Sequence, residues 1–181
     1  MGTKSGNMAI VYSSIAVLSL LLLIGYLLWE KKKTKHLTML FASVAVANIG
    51  YFLQSVSSTL NGALWANRVS YLGSAYLILL MLLIIMDVCQ VERKPWMKGT
   101  LIAVSTAAFL LAASGGWNSL YYKAVAVVEI NGMTRLVKEY GPLHTLYPVY
   151  LLSYFVMMVS VIGYAAKNRK LASPKYAVFL A

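Results

Sequence analysis

The sequence predicts an all-α membrane protein, a polytopic helical bundle with a small extracellular β-hairpin. Of its 181 residues, 60% are hydrophobic and only 12% are charged, whereas soluble domains have about 45–50% apolar and about 25% charged residues. The apolar residues form runs of about 20, the length that crosses a bilayer. Lysine and arginine gather between alternate runs, and the single cysteine excludes an internal disulfide.

The apolar runs, taken in order, predict five complete spans and the start of a sixth. Residues 1–181 are expected to form a single transmembrane domain. The helices are expected at about residues 8–29, 37–60, 63–87, 97–114, 143–166 and 174–181, the last one incomplete. A chain rarely ends one turn into a span, because unpaired carbonyls would face hydrocarbon. The sequence is therefore expected to be a fragment of a longer protein.

The basic loops predict the orientation. Eleven of the 16 lysines and arginines lie in three loops, at residues 30–35, 87–98 and 167–175. Loops of this kind face the cytoplasm, so we expect a multi-pass protein of the plasma (cytoplasmic) membrane with its N-terminus outside. The same distribution makes the lipid bilayer the expected partner and argues against nucleic acid, although the net charge is +11.

The long outer loop predicts a hairpin at residues 120–141. β-branched and aromatic residues flank Asn131–Gly132, a pair that tolerates the positive φ of a tight turn. Because a lone hairpin is marginally stable in water, we expect it to pack over the outer mouth of the bundle.

The sequence contains no catalytic or metal-binding motif. Its two histidines, His36 and His144, are predicted on opposite sides of the membrane, and its five acidic residues lie at or beyond helix ends. A proton-coupled transporter usually carries a carboxylate in mid-membrane. We therefore expect no enzymatic activity, no metal and no cofactor in this chain.

Polar and aromatic side chains gather toward the predicted outer ends of the second, third and fifth helices. Spacings of three and four residues place them on one face of each helix, which predicts an outward-facing cup under the hairpin. Arg68 offers a planar fork for a carboxylate or phosphate, and the rings offer stacking faces. The candidate ligand-binding residues are Asn48, Tyr51, Gln54, Trp65, Arg68, Tyr71, His144, Tyr147 and Tyr150.

Each candidate also has a structural alternative. Tryptophan and tyrosine anchor helices at membrane interfaces, and Asn48 and Gln54 can be hydrogen-bond partners between helices. The side chain of Arg68 can extend to lipid headgroups. His144 can belong to the first turn of the fifth helix, beside Pro142.

Several stretches resemble a known family. The segments 48–51 (Asn-Ile-Gly-Tyr) and 65–73 (Trp-Ala-Asn-Arg-Val-Ser-Tyr-Leu-Gly) are similar to the N-terminal seven-helix sensor region of bacterial membrane histidine kinases. So are the basic segment 92–96 and Tyr-Gly-Pro at 140–142, followed by an aromatic-rich helix. The resemblance covers roughly residues 35–170. The chain departs from the family pattern because its sixth helix is cut short, and a seventh helix and an output domain are missing.

The resemblance implies a membrane-embedded signal-input module, a sensor or receptor of a bacterial signal-transduction protein such as a two-component system. It implies an unknown extracellular small-molecule ligand and a C-terminal cytoplasmic histidine kinase or diguanylate cyclase domain in the same protein. Since kinases and cyclases act as dimers, a homodimer is expected. The alternatives are a fragment of a transporter or permease, although the two halves show no repeat, and a scaffold for complex assembly.

Overall fold

The computed structural model describes residues 5–31, 34–92, 94–130 and 133–168. These residues form five α-helices and one antiparallel pair of strands. In chain order the elements are α1 (Ser5–Trp29), α2 (Lys35–Val56), α3 (Leu60–Val88), α4 (Pro95–Ala113), β1 (Tyr122–Ile130), β2 (Met133–Tyr140) and α5 (Leu146–Lys167). All five helices are long and apolar enough to cross a membrane.

Helices α2 and α3 approach each other closely because glycine stands at two crossing points. A Cβ at Gly73 would lie 2.4 Å from the backbone nitrogen of Ala47, and one at Gly50 would lie 2.3 Å from that of Ser70. No side chain fits at these distances. Small residues commonly permit close packing of membrane helices, and here they fix α2 against α3.

Helix α3 is the centre of the bundle, since α2, α4, α5 and both strands pack against it. In the middle of the bundle, tyrosine hydroxyl groups of α5 form hydrogen bonds with α3 and α4. The hydroxyl of Tyr150 on α5 donates to the carbonyl of Ala75, at 2.7 Å, and lies 3.0 Å from Oγ of Ser105 on α4. The hydroxyl of Tyr154 donates to the carbonyl of Leu101 at 2.7 Å. These bonds hold α3, α4 and α5 together through their buried interior.

Several helix boundaries differ from those expected from the apolar runs. Helix α2 ends at Val56 and α3 begins at Leu60, because the side chain of Thr59 caps α3 by accepting a 3.1 Å bond from the next turn. Helix α4 begins at Pro95, a residue suited to the first helical position. Helix α5 begins at Leu146 rather than at residue 143, since Pro148 fits only in a first turn.

The hairpin packs on the bundle at the end where α2 ends and α3 begins, which we call the hairpin end. Its strands pair with Val127 opposite Leu136, and an irregularity at residues 122–124 works as a bulge. Leu136 is buried, and the hydroxyl of Thr134 donates to the carbonyl of Ser57 between α2 and α3. The opposite end of the bundle, which carries Lys35, Lys98 and Lys167, is called the lysine end.

The predicted helical membrane fold with a small hairpin is confirmed by five apolar helices and a two-stranded sheet. Asn131–Gly132 lies between the paired ends of the strands but outside the described residues, as does the expected sixth helix at residues 174–181. The side of the membrane on which the hairpin lies stays a prediction from the basic loops.

Candidate ligand site at the hairpin end

Rings from α3, the hairpin and α5 meet at the hairpin end in what we call the aromatic cluster. Its members are Tyr71, Tyr121, Tyr122, Tyr140, His144 and Tyr147. The ring of Tyr71 lies edge-on to Tyr147 and Tyr121, with centroids 5.0 and 6.1 Å away. Tyr140 stacks on His144 at 3.8 Å. Edge-on and stacked pairs are the favoured aromatic geometries, so the cluster connects the hairpin firmly to α3 and α5.

Hydroxyl groups add a second connection within the cluster. The hydroxyls of Tyr71 and Tyr122 lie 3.0 Å apart, and the hydroxyl of Tyr121 donates to that of Tyr71 over 3.4 Å. Tyr71 therefore joins α3 to Tyr121 and Tyr122 at the base of the hairpin.

The hydroxyl of Tyr147 is buried, yet it makes no hydrogen bond within the described part of the chain. The residue is 8% exposed. Tyr150 and Tyr154, on the same face of α5, both donate to carbonyls of neighbouring helices. Tyr51 on α2, another of the predicted site residues, is 44% exposed. A buried hydroxyl without a partner costs about 1–3 kcal/mol, so this group is the outstanding polar feature of the cluster.

Lys138 on β2 packs against the aromatic cluster. Its Nζ donates to Oδ1 of Asn67 on α3 at 2.7 Å. It also lies 5.1 Å from the ring centroid of Tyr122 and 5.7 Å from that of Tyr71, within the range of cation–π attraction. The hairpin thus places the ammonium group of Lys138 close to the rings of Tyr71 and Tyr122.

The surroundings determine the charges of this site. Burial lowers the pKa of Lys138 to about 8. Burial, and then the charge of Lys138, lower the pKa of His144. Burial raises the pKa of the Tyr121 and Tyr122 phenols. At neutral pH the site therefore presents a lysine ammonium among neutral phenols and a neutral imidazole.

Residues 12–181 match the family described as the N-terminal 7TM region of histidine kinase. The chain belongs to this family. No curated protein and no solved structure matches the chain. The match confirms the membrane, sensor and signal-transduction interpretation, because this family is a sensor region and not a catalytic domain. Within the described ranges, no group of three or more potential ligand side chains is placed to hold a metal ion.

In this sensor region of the histidine-kinase family, Arg68 joins α3 to α4. It is 7% exposed, and its Nε donates to the carbonyl of Ala113, the last residue of α4, at 2.9 Å. Its Cζ lies 4.7 and 4.2 Å from the ring centroids of Trp65 and Trp117. A cation at a helix C-terminus satisfies free carbonyls and the helix dipole. Arg68 therefore bonds to the end of α4 and packs against two tryptophan rings, and the ligand role of Arg68 and Trp65 stays a prediction.

The other predicted residues of the sensor region fall into two groups. Tyr71, His144 and Tyr147 lie together in the aromatic cluster, as the helical spacing indicated. Asn48 and Gln54 are half-buried on α2, and neither forms a side-chain hydrogen bond with the part of the chain that the structure describes.

Five residues of the site were not among the sequence candidates: Asn67, Tyr121, Tyr122, Lys138 and Tyr140. A sequence signal for Lys138 exists, because Leu136 and Lys138 are two positions apart and share one face of β2. Hydrophobicity alone would turn Val137 inward, but Val137 is 49% exposed and Leu136 is 6% exposed. The strand thus presents a lysine to the bundle and a valine to the outside.

Proposed function

We propose that the chain is the signal-input module of a bacterial signal-transduction protein, and that an extracellular small molecule binds at the aromatic cluster. Binding would regulate a cytoplasmic histidine kinase or diguanylate cyclase domain in the same protein, which acts as a homodimer. The family supports the sensor role. The observation that carries the ligand site is the buried hydroxyl of Tyr147, which has no hydrogen-bond partner among the described residues. No observation favours a transporter.

The site offers three kinds of contact to a ligand. Tyr147 supplies a hydroxyl whose hydrogen bond is made only when the ligand is present, so binding relieves a cost that the empty protein carries. The rings of Tyr71 and its neighbours supply flat apolar surface. Lys138 supplies a cation held on one side by Asn67. A ligand with a flat apolar body and an anionic or hydrogen-bond-accepting group satisfies all three.

The signal would pass through contacts that already join the elements. The hairpin contacts α3 through the Lys138–Asn67 bond and the Tyr71–Tyr122 pair. Helix α3 contacts α5 through the rings of Tyr71 and Tyr147. A ligand shifts such an assembly only if it binds one arrangement of the helices better than another. Since α5 runs from the cluster to the lysine end, a displacement of Tyr147 is expected to reach the cytoplasmic side along that helix.

The orientation can be tested independently of the ligand. In a variant whose native thiol is removed (Cys89→Ala), Ser119→Cys places a thiol at the hairpin end and Thr34→Cys places one at the lysine end. A membrane-impermeant maleimide added to intact cells is expected to label the cysteine at position 119 and to spare the one at position 34. The reverse labelling pattern contradicts an extracellular hairpin.

The ligand site can be tested with the purified chain in detergent and a panel of small aromatic carboxylates as probes. A carboxylate that binds the cluster raises the melting temperature of the wild type. This shift is expected to disappear in Tyr147→Phe and to persist in Tyr164→Phe, which changes the same residue type at the far end of α5. In the full-length protein, Tyr147→Phe should also change kinase or cyclase output. If Tyr147→Phe changes neither the ligand-induced rise in melting temperature nor the output of the full-length protein, the proposal is wrong.

A further inference from the structure

A second concave surface lies at the lysine end, far from the aromatic cluster. It is an apolar cleft of about 520 Å³ between α2, α3 and α4, within the volume range of sites that hold a small ligand. Its walls include Met39 and Val46 of α2, Leu72 and Leu80 of α3, and Ile102 of α4. We call this surface the lysine-end cleft.

The depth of the lysine-end cleft corresponds to one leaflet of a bilayer. Along α2 the lining runs from Lys35 to Val46, and along α3 it runs from Leu72 to Leu83. At 1.5 Å per residue, each wall is about 16 Å long, roughly half of the ~30 Å hydrocarbon core. An acyl chain that enters from one membrane surface has this reach.

The mouth of the cleft is basic. Lys35 and Lys98 line it from α2 and α4, and both are exposed. The carboxylate of Asp87, which lies at the same end, is engaged by Nδ1 of His36 at 2.6 Å. An anion at the mouth therefore meets two ammonium groups, while the carboxylate of Asp87 is already held by an imidazole.

We propose that the lysine-end cleft binds one acyl chain of an anionic phospholipid, whose headgroup phosphate pairs with Lys35 and Lys98. The apolar walls, which are as long as one leaflet is thick, would hold the acyl chain. The basic mouth at the membrane surface would hold the phosphate. Polybasic positions beside a membrane attract anionic lipid, and the cleft adds a shape that retains the lipid after it arrives.

The position of the cleft favours lipid over another part of this chain. The described residues that line it come from α2, α3 and α4. A helix that follows α5 by a short loop packs beside α5. The other occupants, a later segment of the chain or a second copy, are distinguished by the experiment.

The experiment is native mass spectrometry of the chain released from micelles that contain phosphatidylglycerol or phosphatidylcholine. The wild type is expected to retain one phosphatidylglycerol in preference to phosphatidylcholine. Lys35→Gln and Lys98→Gln should each weaken that binding about fivefold. Lys167→Gln, which removes an exposed lysine at the same end but outside the cleft, should leave it unchanged.

A second variant separates the cleft from the surface charge. Ala42→Trp fills the apolar wall while keeping both lysines, and it is expected to abolish retention of phosphatidylglycerol. Circular dichroism and the melting temperature show whether this variant keeps its helices; the lysine variants provide the test if it does not.

Four outcomes would overturn the proposal. Retention unchanged by Ala42→Trp, or reduced equally by Lys167→Gln and Lys35→Gln, means that the lipid binds only around the surface. If the wild type is a dimer and Ala42→Trp dissociates it, a second copy of the chain fills the cleft. Lipid that binds only after removal of residues 169–181 means that the chain itself fills it.

Discussion

Buried and half-buried polar side chains join neighbouring elements at the hairpin end, whereas at the lysine end the lysines are exposed and the His36–Asp87 pair between α2 and α3 is partly open to solvent. Arg68, Lys138 and Tyr71 each bond to a different element. At the lysine end, Lys35 and Lys98 are exposed beside an apolar cleft. The difference supports the proposal of a ligand site at the hairpin end, where buried and half-buried polar groups form hydrogen bonds. The lysine end is suited to a membrane surface.

The aromatic cluster is also sealed by the hairpin, and the lysine-end cleft is open. Leu136 is buried against the helices and the Thr134 hydroxyl bonds to the loop between α2 and α3. Disturbing the buried contacts of the hairpin end should therefore cost more stability than removing the partly exposed polar groups of the lysine end. The next four predictions run from the largest expected effect to the smallest; the first concerns the crossing of α2 and α3, and the others test this contrast.

Gly73→Ala is expected to have the largest effect. The added Cβ would lie 2.4 Å from the backbone nitrogen of Ala47 and 2.5 Å from the carbonyl oxygen of Ser43, so α2 and α3 must separate. The free energy of unfolding in mixed micelles should fall by about 1–3 kcal/mol or more. Gly163→Ala is the control, because nothing lies within 4 Å of its Cβ position. Equal losses in both variants would show that close packing of α2 and α3 is not what stabilises the bundle.

Tyr150→Phe and Tyr147→Phe are expected to change stability in opposite directions. The first removes a hydroxyl that donates to the carbonyl of Ala75 and contacts Oγ of Ser105, so the free energy of unfolding should fall by about 1 kcal/mol. The second removes a buried hydroxyl without a described partner, so stability should rise by about 1 kcal/mol. Denaturation of both variants in the same micelles measures the difference. If Tyr147→Phe is as destabilising as Tyr150→Phe, its hydroxyl has a partner in the empty protein and the ligand site loses its main support.

Lys138 should make stability depend on pH. Its pKa is about 8 in the folded protein and 10.5 when exposed, so between these values the unfolded chain binds more protons and stability rises with pH. The slope is at most about 1.4 kcal/mol per pH unit and is reduced because the side chain is partly exposed. Tyr71, Tyr122 and His144 face the same group.

The variant that isolates this effect is Lys138→Met. It should lose the rise in melting temperature between pH 8 and 10, and Lys123→Met, an exposed lysine of the same hairpin, should retain it. His144 titrates below this window, because its pKa is lowered from 6.5. If the melting temperature of Lys138→Met still rises between pH 8 and 10, the pH dependence comes from another group.

His36→Ala should have the smallest effect. The pair with Asp87 is close, at 2.6 Å, but the two side chains are 21% and 43% exposed. Ion pairs open to solvent contribute about 0–1 kcal/mol, so the melting temperature should shift by only a few degrees. A loss of more than 2 kcal/mol would remove the contrast between the two ends.

The sequence by itself determined the membrane fold, the number of complete apolar helices within the described chain and the presence of the hairpin. These features follow from local patterns, since run length sets a span and a turn between β-branched segments sets a hairpin. The spacing on α5 likewise indicated that Tyr147, Tyr150 and Tyr154 share a face.

The tertiary structure alone decided what each of those side chains does. Tyr150 meets carbonyl and hydroxyl partners from α3 and α4, and Tyr147 meets rings, although the two residues are equivalent by spacing. Lys138 faces inward, and Arg68 bonds to the end of α4, because elements distant in sequence supply their partners. Periodicity determines which way a side chain points, but only packing determines which group it meets.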